Sequence, residues 1–276
     1  MNCIFLLIIF SFVIIIINGD DMKALVTGAS SGIGRDIARY LSKKGYDLIL
    51  VARRKDRLEE LKKELSTNVE IICSDLSSTF NCMKLYEQIK NEDIDVVINN
   101  AGFGLAGEFS KTKLETELDM IDLNIKAVHT LTKCFLQYFE KKNKGYILNV
   151  ASSAALQPGG PLMATYYATK SYVLSMTLGI YEELRRNKKN IYIGCLCPGP
   201  VDTEFNKVAK VEFTLPSLSS EYVAKYAIDK MFKRKTIIIP GTGMKLISFF
   251  GNFATKKSKL KMTYNVQKRK IDKASE

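Results

Sequence analysis

Histidine is almost missing from this chain of 276 residues, and His129 is the only one. A zinc site and a Ser-His-Asp triad both lean on imidazole, so the composition points away from each. Six cysteines, at 3, 73, 82, 134, 195 and 197, include no C-x-x-C pair and no paired framework. Their pattern predicts a reduced, cytoplasmic setting without disulfides. No repeat or long linker interrupts the chain, whose length suits one large α/β domain. Hydrophobic residues at 46% against 25% charged leave enough apolar surface for an ordinary core.

Positive charge is absent before Lys23, although Cys3 to Ile17 forms an apolar run of fifteen broken only by Ser11. The run is short for a membrane span, and it lacks the basic start and small-residue end of a secretory signal. Two readings of residues 1–21 stand: a membrane anchor on a cytoplasmic domain, or a chain that really begins at Met22. At the other end, residues 252–276 hold eight Lys/Arg against two acids, half of the net +12. Such a tail is a solvated extension or a contact for anionic lipid; no base-reading motif marks it for nucleic acid.

From Met22 onward, β-type apolar runs alternate with helical patterns. Strands are expected at Lys23–Thr27, Asp47–Val51, Val69–Cys73, Asp95–Asn99, Gly145–Ala151, Ile191–Cys197 and Thr236–Ile239. Helices are expected near Ile33–Lys44, Arg54–Leu65, Phe80–Lys90, Leu114–Phe139, Met163–Arg186 and Ser220–Lys233. The alternation predicts an α/β fold, a doubly wound parallel sheet of Rossmann type over 22–242. An amphipathic and basic helical extension would follow over 243–276, with Leu246, Phe249, Phe250 and Phe253 at helical spacing.

The first strand runs into Thr27-Gly28-Ala29-Ser30-Ser31-Gly32-Ile33-Gly34. Glycines at 28, 32 and 34 let the backbone turn sharply and approach a dinucleotide pyrophosphate at the following helix N-terminus. The second strand ends without the carboxylate that would hold a ribose 2′-hydroxyl. Arg53 and Arg54 stand there instead, forked donors suited to a 2′-phosphate, which predicts NADP(H) over NAD.

Tyr166 and Lys170 lie one helical turn apart in Tyr166-Tyr167-Ala168-Thr169-Lys170. Hydride addition to a carbonyl leaves an alkoxide in need of a proton, and a free phenol, with pKa about 10, exchanges one poorly at neutral pH. A neighbouring ammonium would favour the phenolate; lowering by two to three units corresponds to about 3–4 kcal/mol. Tuned so, Tyr166 would be the general acid in reduction and the general base in oxidation. A hydroxyl from Ala151-Ser152-Ser153 would bond the carbonyl oxygen as charge develops.

Together these segments resemble the short-chain dehydrogenase/reductase family over about residues 22–242. The resemblance rests on the glycine turn, Asp75-Leu76, Asn99-Asn100-Ala101-Gly102, Asn124, Ser152, Tyr166-(x)3-Lys170 and Pro198-Gly199. It implies that Asp75 meets the adenine, that Asn100 with Ala101 and Gly102 lines the cofactor, and that Val201 and Thr203 approach the nicotinamide amide. Asn124 would hold a water serving Lys170. The family's usual spacing back from Tyr166 selects Ser153 as the catalytic serine. Aligning from Asn149 selects Ser152, with an extra residue absorbed at Gly159-Gly160, and Ser152 is preferred because loops take up insertions more readily.

The resemblance also implies a homodimer or tetramer, no metal and an NADPH-linked branch that includes ketoacyl and steroid reductases. The expected substrate is a hydrophobic ketone or aldehyde, a 3-oxoacyl thioester among them. Its pocket would be walled by Leu105, Leu156, Met163, Phe205 and the loop Glu204–Pro216. A non-catalytic NADP(H)-binding sensor is the alternative, against which intact Ser152, Tyr166 and Lys170 weigh. Tyr167, His129, Cys195 and Cys197 are read as packing or surface residues.

Overall fold

Strands crowded with Val, Ile and Leu can only lie where helices cover both faces of the sheet. The computed structural model describes residues 22–209, 217–251 and 253–275. The anchor and internal-start readings of residues 1–21, and the expected pocket loop beyond residue 209, therefore fall outside the described residues. In chain order the elements begin β1 (Lys23–Thr27), α1 (Gly32–Lys43), β2 (Asp47–Ala52), α2 (Lys55–Glu64), β3 (Val69–Cys73), α3 (Thr79–Ile89) and β4 (Ile94–Asn99). Next come α4 (Leu114–Ile121), α5 (Val128–Lys142), β5 (Gly145–Val150), α6 (Ala164–Arg186), β6 (Ile191–Leu196), β7 (Val201–Asp202) and α7 (Phe205–Ala209). The last are β8 (Leu218–Ser219), α8 (Ser220–Phe232), β9 (Ile237–Ile238), α9 (Thr242–Gly251) and α10 (Lys256–Ser275).

Seven strands form one parallel sheet in the order β3-β2-β1-β4-β5-β6-β9, while β7 and β8 pair separately. Side chains alternate between its faces, as strand geometry requires. On one side Ala24, Val26, Leu48, Leu50, Val96 and Ile98 pack with α1, α2 and α8. On the other, Leu25, Ile49, Val51 and Val97 meet α3, α5 and α6 through Leu85, Phe135, Phe139 and Leu184. The chain reverses its winding between β1 and β4, so the crevice for a ligand opens at the carboxyl ends of these strands.

The expected strands hold to within a residue or so at each end. The expected helix over Leu114–Phe139 does not run unbroken: a single turn of π-helix, Asp122–Ala127, separates α4 from α5. The basic tail is neither loose nor purely solvated, because α10 docks on the domain through Thr263, Gln267 and Lys270. Among the described residues, no helix is long and apolar enough to cross a membrane.

Candidate active site

The turn after β1 is built by close approach. Gly28 sits at φ +66°, a left-handed conformation that glycine adopts without penalty. A Cβ on Gly34 would overlap both the Gly28 carbonyl oxygen and Asn100 Nδ2. Asn100 draws the loop after β4 onto this turn, its Nδ2 donating to the carbonyls of Thr27 (3.0 Å) and Gly28 (3.2 Å). The amides of Asn100 and Ala101 both donate to Thr27 Oγ1. Ser31, the residue preceding α1, provides no side-chain cap, so the amides of the first turn remain free of any such partner. Those donors, with the positive end of the helix dipole, match a pyrophosphate.

The arginines divide. Arg54 points at the turn, donating to Ser30 Oγ (3.0 Å) and Ser31 Oγ (2.8 Å) and pairing with Glu204 (2.8 Å). Arg57, which the sequence did not single out, holds the other oxygen of the same carboxylate. Hydrogen bonds from Arg57 and Arg54 depress the Glu204 carboxyl to about 2. Arg53 instead is 69% exposed and lies 3.8 Å from Asp75. Burial would raise the Asp75 carboxyl, but hydrogen bonds from the Ser77 amide and hydroxyl, with help from Arg53, keep it below its usual range. The Leu76 side chain is buried in the core with Cys82 and Leu85 of α3.

Asn124 lies in the π-turn, which swings its side chain inward; such single turns gather at functional sites. It is fully buried, and its amide clamps Phe103, donating to the carbonyl at 2.9 Å and accepting from the N–H at 3.1 Å. A Cβ on Gly102 would come within 2.8 Å of Asn124 Oδ1 and 3.2 Å of Lys170 Nζ, so the two side chains converge on that glycine. Behind them a buried network, Asn99–Asn149 (2.8 Å) and Asn149–Thr177 (3.0 Å), locks β4 and β5 to α6. The sequence marked Asn99 and Asn149 by position, but not the bond between them or the partners Thr132 and Thr177.

Ser152, Tyr166 and Lys170 meet in one cleft of about 200 Å³, whose wall continues through Ser31, Gly32, Ile33, Asn100, Pro198, Gly199, Val201 and Thr203. Lys170 Nζ donates to the Val150 carbonyl at 3.0 Å and stands 6.0 Å from the Tyr166 ring centroid. The expected acidification of the phenol is reversed: burial holds Tyr166 above its ordinary value, opposed in part by a hydrogen bond from Ser152. Burial lowers the Lys170 ammonium to about 8. The cause is common to both, since a site this dry disfavours phenolate and ammonium alike. Ser153 also lines the cleft, but its amide is fixed to the Pro198 carbonyl at 2.7 Å.

Of the four expected apolar wall residues, Met163 and Phe205 are present. Leu105 lines a separate small hollow and Leu156 packs behind the wall with Val173 and Leu174. Tyr167 is buried, but it also lines the cleft beside Tyr166, and its hydroxyl is bonded to Gln267 Nε2. His129 pairs with the Tyr172 hydroxyl at the surface, while Cys195 and Cys197 are buried side by side. Gln267 and Lys270 from α10 close the cleft. Spacing alone could not find them within so lysine-rich a stretch.

The short chain dehydrogenase family model matches residues 22–212. The very-long-chain 3-oxoacyl-CoA reductase of Homo sapiens is 31% identical over 215 residues, covering 74% of this chain and 67% of that protein. An oxidoreductase of Staphylococcus saprophyticus reaches 38% over 192 residues, 68% of this chain and 77% of its own. Among solved structures, a short-chain dehydrogenase from Sphingobium yanoikuyae in complex with NADPH superposes with a TM-score of 0.75. It is 29% identical and covers 84% of this chain and 93% of its own. The chain belongs to the short-chain dehydrogenase/reductase family of nicotinamide-dependent oxidoreductases.

Proposed function

We propose that the protein is an NADPH-dependent reductase of a ketone or aldehyde, with Tyr166 as proton donor. The observation that carries this reading is the gathering of Ser152, Tyr166 and Lys170 in one cleft whose far wall is the glycine turn. Gly28, Ser30, Ser31, Gly32, Ile33 and Gly34, with Asn100, Ala101 and Gly102, would hold the dinucleotide. Arg54 with Ser30 and Ser31 would take its 2′-phosphate. The cofactor supplies the hydride.

The chain's own residues do the rest. Ser152 donates a hydrogen bond to the carbonyl oxygen as charge builds there. Tyr166, kept protonated by burial, gives its proton to the same oxygen. Lys170 holds positive charge near the phenol, and Asn124 fixes the loop around Gly102 that Lys170 faces.

A hydrophobic substrate fits Met163 and Phe205 on the wall, and a 3-oxoacyl thioester is the specific candidate. A homodimer or tetramer is the expected assembly. The exposed Leu246, Phe250 and Phe253 beside Lys256 and Lys257 favour contact with an anionic lipid surface.

The test is oxidation of NADPH and of NADH by purified protein over a panel of ketones, aldehydes and acyl thioesters. Turnover confined to NADPH and to carbonyl compounds supports the reading, and no turnover with any of them overturns it. Ser152→Ala should then abolish most of kcat while Ser153→Ala spares it; the opposite result moves the role to Ser153.

A further inference from the structure

The cleft of about 200 Å³ has to take a nicotinamide and a carbonyl compound together. A pocket that buries one drug-sized ligand measures roughly 300–1,000 Å³, so a wall of this cleft must retreat. Ser152 follows β5 and Tyr166 belongs to α6, both packed on the sheet. The other wall is made by the last two helices. Gln267 and Lys270 of α10 line the cleft directly. Met244 of α9 covers Gly199, where a Cβ would come within 2.6 Å of its Cγ, and Leu260 of α10 covers Gly159.

The inner stripe of α10 is polar. Thr263, Gln267 and Lys270 are each less than a tenth exposed, and Gln267 is bonded to the Tyr167 hydroxyl at 2.5 Å. Polar groups leave such a place at small cost, because water replaces the bonds they lose. Leucines in the same stripe would resist by the full hydrophobic term. A cover held this way can open.

The outer surface of the two helices indicates what opens it. Away from the buried stripe, α10 exposes Lys257, Lys261, Lys268 and Arg269 against its one acid, Asp272. Met262 and Tyr264 are exposed between these charges, and α9 exposes Leu246 and Ile247. A nucleic acid would answer the charges and leave the apolar side chains in water. An anionic bilayer answers both, with phosphates for the lysines and an acyl boundary for the rest.

We propose that an anionic lipid surface docks on the outer face of α9 and α10 and draws α10 off the cleft. The membrane thereby gates access to Ser152 and Tyr166, and a hydrophobic carbonyl compound dissolved in it enters as the cover lifts. The inference deepens the lipid contact proposed above and rests on the reductase reading for its turnover readout alone.

The full-length protein is assayed with NADPH and a water-soluble ketone under three conditions: without vesicles, with phosphatidylcholine vesicles, and with vesicles that also carry phosphatidylglycerol. Only the anionic vesicles should raise kcat/KM, by about tenfold, as when a minor open state becomes the major one. High salt should cancel the rise. The triple variant Lys261→Glu, Lys268→Glu, Arg269→Glu should lose the rise and keep its turnover without vesicles. In parallel, amide hydrogen exchange over residues 157–163, beneath α10, should quicken with the anionic vesicles.

Where ketones turn over, both readouts must respond, and a change in neither or in one alone overturns the gate. An equal rise with phosphatidylcholine alone, or a rise produced by an oligonucleotide without vesicles, overturns it too. Should no ketone turn over under any condition, the reductase reading fails by itself. Exchange over 157–163 then decides alone: faster exchange with anionic vesicles supports the gate, and unchanged exchange overturns it.

Discussion

Glu204 grips Arg54 at 2.8 Å, joining the segment after β7 to the turn after β2 across 150 positions of sequence. The carboxylate occupies the forked donors that a 2′-phosphate would use. Removing Arg54 should therefore weaken NADPH by about tenfold or more, the worth of lost charge-assisted hydrogen bonds, and leave NADH nearly unchanged. Arg53→Ala should cost less, since Arg53 is mostly exposed and lies 3.8 Å from Asp75. Glu204→Gln should tighten NADPH by freeing both arginines. Cofactor titrations check all three, and equal losses for NADPH and NADH in Arg54→Ala would refute the assignment.

Lys170 is held in a dry site at a cost. Its folded value of about 8 lies below the unfolded value near 10.5, so the unfolded chain binds the extra proton between those limits. The penalty is complete below about pH 8 and is relieved as pH rises toward 10.5. Lys170→Met keeps the volume without the charge and should raise stability at pH 7 by about 1–3 kcal/mol, while abolishing activity. Urea unfolding at pH 7 and pH 10 measures this. A stabilisation that is absent at pH 7, or that grows with pH, contradicts it.

Gly34 faces the Gly28 carbonyl so closely that no side chain fits. Gly34→Ala should cost about 1–3 kcal/mol by overpacking and should impair cofactor binding as well. An unchanged denaturation midpoint would show that the turn has slack.

The pH dependence of turnover follows from the same dry cleft. With Tyr166 held above its ordinary value, the phenol stays protonated through neutrality and the reduction rate should be level there. The rate should fall as Lys170 loses its proton near pH 8. Alcohol oxidation needs the phenolate and should rise only at higher pH, beyond the ordinary phenol value of about 10. Parallel pH profiles in the two directions would be inconsistent with Tyr166 as the shared acid and base.

Most strands were legible because Val, Ile and Leu fill both their faces, the pattern of a sheet buried beneath helices, although β3 at the sheet edge exposes Glu70 and Cys73. The glycine turn and the Tyr166–Lys170 pair were legible because their spacing is itself the chemistry. The π-turn around Asn124 was not: one extra residue in a single turn leaves almost no trace in helical periodicity. Arg57 and Glu204 were hidden because their partnership spans 147 residues and exists only after folding. The direction of the Tyr166 shift was missed for a different reason. Spacing reports which charge is near, whereas desolvation depends on everything packed around it. Lys270 shows the same limit, since nothing local distinguishes it from the seven other basic residues of the tail.

The central claim is that the Tyr166 hydroxyl delivers the proton to the reduced carbonyl. The direct measurement is kcat of Tyr166→Phe with NADPH and the best carbonyl substrate, alongside NADPH affinity of the same variant. The account predicts a loss of about 10²–10⁴-fold in kcat, the usual worth of a positioned general acid, with NADPH binding retained. A variant that turns over at the unmodified rate while binding NADPH normally would contradict it.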